Sequence, residues 1–224
     1  MVFSLIKNIS NRIRNAIDSL LGEKRIPKSV RNVLEKEGSR KIKSIQVFRN
    51  PIQSSGRILM DFLSLGKFSE LKKKFNPDDL FHTGMIITLD NGKVYTLEKV
   101  EIISIKSGKP SSIKDSIKVP VDKDISLSEL LYNAQKRNPE KFLSYNATTN
   151  NCQHFLAMLL QSSGLMTPEA REFILQNTEE LVKNLPEISK YLAEKITDVA
   201  GKVSEATEEL TMRRGGRIVK KYRI

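Results

Sequence analysis

Apolar residues recur at helical spacing from the start of the chain. Val2, Phe3, Leu5, Ile6, Ile9, Ile13, Ile17, Leu20 and Leu21 share one face, Lys7, Arg12 and Arg14 take the other, and Gly22 ends the run. A period of 3.6 residues predicts an amphipathic helix, whose stripe either docks on a protein body or lies in a membrane interface. Glu23 to Ser44 is charged and broken by proline, and reads as a linker with one short helix. From Ile45 the pattern changes. Ile45, Val47 and Phe48 predict a strand edge, and Arg57 to Phe75 predicts a helix closed by Asn76-Pro77-Asp78-Asp79. His82 to Leu89 and Lys93 to Ile105 are rich in β-branched and aromatic residues and flank Asp90-Asn91-Gly92, which predicts a β-hairpin.

Ser107 to Pro120 reads as a loop of Lys, Ser and Pro, after which Ser126 or Ser128 can cap a helix over Leu130 to Arg137. Asn150 or Asn151 caps a strongly apolar helix from Cys152 to Ser163 that Gly164 stops, and Thr167-Pro168-Glu169 opens another with its cap and proline in favoured places. After Pro186 one apolar stripe, from Ile188 to Leu210, persists over a long helix. It suits a partner helix, a self-associating seam over residues 186–211, a membrane surface, or packing on the domain. These elements predict an α+β protein with a small antiparallel sheet packed on the helix that bears Cys152. The expected layout is a basic helix and linker over residues 1–44, a central domain over 45–166, a helical extension over 167–212 and a basic tail over 213–224.

Charge sharpens that layout. The 224 residues carry a net charge of +12, distributed as +11 over residues 1–75, 0 over 76–150, −5 over 151–212 and +6 over 213–224. Basic ends on a neutral-to-acidic body suit an anionic membrane face, phospholipid or nucleic acid. No apolar run approaches the ~20 residues that a spanning helix needs, and the opening segment is interrupted where a signal peptide stays apolar. The expected location is therefore the cytoplasm, with peripheral membrane association or a virion as further settings. One cysteine excludes an internal disulfide and a multi-thiolate zinc site, so Cys152 is a buried filler, a reactive thiol or an accident. No metal or cofactor is expected.

The reactive reading rests on position. A thiol at a helix N-terminus meets unpaired amides and the positive end of the macrodipole, which stabilise a thiolate and offer donors to an oxyanion. Asn151, Gln153 and His154 are the supporting residues there. His154 lies two residues beyond Cys152, about 200° around the helix, so His82, the other of the two histidines, is the candidate base.

The string from Tyr145 to Phe155, with its Asn151-Cys152-Gln153-His154-Phe155 box, resembles one shared by two groups of the NlpC-type superfamily. These are the lecithin retinol acyltransferase-like enzymes and the PPPDE isopeptidases, both circularly permuted papain-like folds in which a strand histidine precedes a helix cysteine. Phe81-His82-Thr83-Gly84, 70 residues before Cys152, is similar to the PPPDE start. Asp90 to Tyr95 is closer to the acyltransferase group, and the similarity spans residues 78 to 165. Where the acyltransferase-like group has a second histidine, this chain has Tyr95, with Glu98 three residues on. Tyr95 by its hydroxyl or Glu98 by its charge could orient His82. The resemblance implies a thiol hydrolase in which Cys152 forms a thioester with the acyl group of a lipid ester. It also admits an isopeptidase using the same two residues, while the missing histidine and the basic ends leave room for a structural or nucleic-acid-binding protein that performs no reaction.

Overall fold

The computed structural model describes residues 2–51, 81–146 and 149–175. The helix expected over Arg57 to Phe75, the long helix over 186–211 and the tail over 213–224 lie outside the described residues.

The sequence runs into helix α1 (Val2–Gly22), helix α2 (Lys28–Glu37), strands β1 (Ile42–Pro51), β2 (Phe81–Leu89), β3 (Val94–Lys99), β4 (Ile103–Ser107) and β5 (Asp115–Val119). It then forms helices α3 (Leu127–Arg137), α4 (Pro139–Leu143), α5 (Cys152–Ser162) and α6 (Pro168–Ile174). The strands form one antiparallel sheet in the order β4-β3-β2-β1-β5. The protein is thus α+β, with an open five-stranded antiparallel sheet and several helices.

Turn chemistry fixes the register at the centre of this sheet. Leu89 donates its N–H to the Lys93 carbonyl at 2.9 Å, and Gly92 takes φ +80°, a left-handed conformation that glycine adopts without strain. Counting back from that turn pairs Thr88 with Val94, Ile87 with Tyr95 and Met85 with Leu97. Side chains alternate across a strand, so Met85, Ile87, Leu89, Tyr95 and Leu97 all reach the apolar core. His82, Gly84 and Ile86 fall on the other face of β2, the one that carries Thr96 and Glu98.

Several expectations needed correction. Ile45, Val47 and Phe48 belong to an interior strand, since β1 is flanked by β2 and β5. The apolar run after the turn divides into β3 and β4, because Val100 bonds back to the Ile102 carbonyl and reverses the chain. Asp115 to Val119, read as loop, is a strand paired with β1 from Arg49 to Ile45. The segment read as a linker contributes Ile26, Val30 and Leu34 to the same core as the sheet, as α1 does through Leu20. Helix α1 docks on α3, with Arg12 Nε 2.7 Å from Glu129 Oε1. Ala170 and Ile174 of α6 enter the core too. Among the described residues, no helix is long and apolar enough to cross a membrane.

The caps form as expected. Ser126 and Glu129 close a reciprocal capping box on α3, Asn151 caps α5, Thr167 caps α6, and Gly164 ends the α5 segment at φ +64°.

Candidate functional site: a thiol and an imidazole at a strand edge

Cys152 is the first residue of α5, where Asn151 Oδ1 accepts the N–H groups of Gln153 at 3.0 Å and His154 at 3.3 Å. The cap thereby consumes two amides of the first turn. The Cys152 N–H is the remaining one that Asn151 does not use, which narrows the set of backbone donors available to an oxyanion. His154 bonds through Nδ1 to the same Asn151 oxygen at 2.9 Å and so braces the cap. Gln153 is buried.

The pairing of β2 with β3 ends at Met85↔Leu97, so β3 does not cover the edge of β2 at His82 and Thr83. The Cys152 sulfur lies at that uncovered edge. From there it is close enough to the His82 ring and to Thr83 for both to favour its charged form, although Thr83 Oγ1, like His82 Nδ1, makes no well-formed hydrogen bond. The thiol is only 6% exposed, yet Cys152 is not a member of the apolar cluster that holds Phe155, Leu156 and Leu159 of the same helix.

His82 is equally buried. One ring nitrogen, Nε2, is 3.2 Å from Glu98 Oε1, while Nδ1 makes no well-formed hydrogen bond and is left to serve the sulfur. Loose alignment of this kind is common before substrate binds. Glu98 reaches His82 because both occupy the same face of adjacent strands. Tyr95 points into the core opposite Ile87, so of the two residues expected to orient the imidazole, the structure brings only Glu98 to it.

The electrostatics follow from these contacts. Burial by itself would push the His82 imidazolium down, but its bonds and charge interactions with Cys152 and Glu98 outweigh that and raise it to about 10. Burial likewise opposes the Cys152 thiolate, and His82 and Thr83 overcome it, bringing the thiol below its ordinary value. The bond to His82 lowers the Glu98 carboxyl against the opposing effect of burial. These shifts all favour the charged forms, a thiolate beside an imidazolium with a carboxylate on the other side of the ring.

Sequence reasoning assigned no role to Thr83, Tyr145 or Lys99. Thr83 directly follows His82 on β2, beyond the last residue that β3 pairs with. Asn146 and Asn150 exchange both backbone hydrogen bonds, at 3.1 and 3.0 Å, which folds Tyr145 back across from Asn151. Its phenol is raised well above the ordinary range, first by burial and then by the nearby Cys152 and Glu101. Among the described residues, no group of three or more His, Cys, Asp and Glu side chains is placed to hold a metal ion.

Replacing Glu98 by Gln tests the orienting contact. The reactive pair exists between the Cys152 pKa, below the ordinary ~8.5, and the His82 pKa near 10. Removing the carboxylate charge lowers the upper limit, so the alkaline limb of any reaction that uses the imidazolium as proton donor should move to lower pH. The rate at neutral pH should fall about tenfold, equivalent to about 1.4 kcal/mol. Tyr95→Phe should leave that limb in place.

Comparison of the chain with protein-family models, with curated proteins and with solved structures finds no match.

Proposed function

We propose that this protein is a cysteine-dependent acyl hydrolase or acyltransferase of the permuted papain-like kind, acting on lipid esters. The observation that carries the reading is a thiol at a capped helix N-terminus beside His82, whose ring is held on its other side by Glu98. The Cys152 thiolate attacks the ester carbonyl carbon, and the carbonyl electron pair moves onto oxygen to form a tetrahedral oxyanion. The Cys152 N–H faces that charge, and the Tyr145 phenol, which burial keeps protonated, adds a hydroxyl donor. The oxyanion collapses, the C–O bond breaks, and His82 passes its proton to the departing alkoxide, leaving a thioester on Cys152. Neutral His82 then takes a proton from the incoming water or amine, which displaces the thiolate and restores the pair. Glu98 steadies the imidazolium throughout and keeps the ring aligned.

Lipid ester is the substrate class because the turn leading to Tyr95 resembles the acyltransferase-like group, and because the basic ends suit an anionic surface. Fatty-acid release from phosphatidylcholine vesicles containing anionic lipid should exceed that of the Cys152→Ala variant. Cleavage of a ubiquitin-like fusion with no fatty-acid release would instead identify an isopeptidase. Absence of both, together with salt-sensitive DNA binding that survives Cys152→Ala, would identify a binding protein.

A further inference from the structure

Lys99 is fully buried. It follows Glu98 on β3 and points to the opposite face, into the core. Its ammonium donates to three backbone carbonyls, those of Lys141 at 3.1 Å, Phe142 at 2.8 Å and Ser144 at 2.5 Å, and lies 5.1 Å from the centre of the Phe155 ring. These three acceptors match the three donors of an ammonium group, and all come from the end of α4. Burial holds Lys99 down at about 7, and among the described contacts no carboxylate offsets its charge. A buried cation of this kind costs more than a packed apolar side chain at the same place, so packing alone does not account for it.

The turn that Lys99 grips has a second holder. Asn150 donates through Nδ2 to the Lys141 carbonyl at 2.8 Å and the Ser144 carbonyl at 2.7 Å, two of the three acceptors used by Lys99, and to Ser144 Oγ at 3.1 Å. Asn150 stands two residues before Cys152. Adjacent residues of β3 thus reach both halves of the candidate site. Glu98 fixes the imidazole, and Lys99 fixes, through residues 141–144 and Asn150, the backbone that delivers the thiol.

We propose that Lys99 is a positioning residue for the candidate nucleophile, setting the N-terminus of α5 against His82 by clamping the 141–144 turn together with Asn150. The proposal rests on the thiol–imidazole reading above. Burial, His82 and Thr83 set the proton affinity of Cys152, and Lys99 is not among the charges acting on it. Its removal therefore reaches the thiol through position, and a displacement of about 1 Å is enough to weaken such a contact.

Lys99→Met in the full chain is the test, read by thiolate absorbance against pH and by the rate of Cys152 alkylation with iodoacetamide. Asn150 still serves the Lys141 and Ser144 carbonyls, so the variant should keep its circular dichroism. Alkylation at neutral pH should slow about tenfold and the thiolate titration should move up toward the ordinary range, whereas Ile103→Val, a cut in the neighbouring strand, should leave both unchanged. A folded Lys99→Met with the titration and alkylation rate of the unmodified chain would overturn the proposal. If that variant does not fold, Asn150→Ala takes the same two measurements. A raised titration with slowed alkylation then supports the clamp, and an unchanged curve overturns it. A parent thiol that already titrates in the ordinary range defeats the proposed function instead, before any Lys99 variant is compared.

Discussion

Cys152→Ala should remove the proposed acyl-transfer activity, by a factor of about ten thousand or more, while leaving the protein folded. The size follows from the role. Without the sulfur no thioester forms, and the remaining donors and binding contacts supply only a small residue of the rate, as for other nucleophile knockouts. Retained folding follows from the surroundings, since Cys152 lies beside His82, Thr83 and Tyr145 and outside the apolar cluster. Loss of the sulfur also relieves a buried imidazole of one of the two groups that raise its pKa, so His82 in the variant should titrate at a lower pH, which an imidazole proton resonance can follow. A Cys152→Ala protein that releases fatty acid at the parent rate would place the chemistry elsewhere.

Gly84→Ala should be the most disruptive small substitution in the sheet. A Cβ at Gly84 would stand 2.3 Å from Phe48 Cζ, 2.6 Å from Phe48 Cε1 and 3.0 Å from Glu98 Cγ. Phe48 is only 1% exposed, on the paired strand, so its ring has little room to retreat. Overpacking of this kind costs about 3 kcal/mol, to be read as a lower urea midpoint at unchanged slope. Glu98 is the softer neighbour. It should move first and carry its carboxylate away from His82, so the surviving folded fraction should also show the lowered alkaline limb expected of Glu98→Gln. A variant with parent stability would mean that β1 and β2 are spaced more widely than these contacts imply.

The parts of this site that could be read from sequence are those fixed by local rules. Asn150-Asn151 before an apolar helix marked the cap to within one residue, and helical geometry removed His154 as a base, which left His82. Asp90-Asn91-Gly92 marked the turn. Given that turn, counting pairs outward from Leu89 and Lys93 brings Glu98 opposite Gly84, two residues from His82, so the choice between Glu98 and Tyr95 was contained in the register and needed only the turn type to extract. The elements that escaped are governed by tertiary contact. The β5 strand has just two apolar residues, Ile117 and Val119, because as an edge strand it is paired on one side only. The α2 helix reads as charged linker because its three apolar residues, Val30, Val33 and Leu34, matter only once the sheet is there to receive them. Lys99 was hidden by its own chemistry. Alternation from Tyr95 and Leu97 places it on the core face, but lysine is read as a surface residue, and nothing local reveals the three carbonyls of the 141–144 turn.

The arrangement divides the work of the site between the two faces of one strand. β3 presents Glu98 on one side and Lys99 on the other, so the sheet that fixes the imidazole also fixes the chain leading into the thiol. The imidazole and its carboxylate are thereby held on adjacent strands of one sheet, which suits a reaction that depends on alignment.

The most direct test of the central contact is a thiolate titration of Cys152 in the full chain beside its His82→Ala variant. If the imidazole primes the sulfur, the parent should titrate clearly below the ~8.5 of an ordinary thiol, and the variant, left with a buried thiol and no adjacent cation, should titrate at or above it. Two superimposable curves, or a parent thiol that ionises only in the ordinary range, would contradict the account.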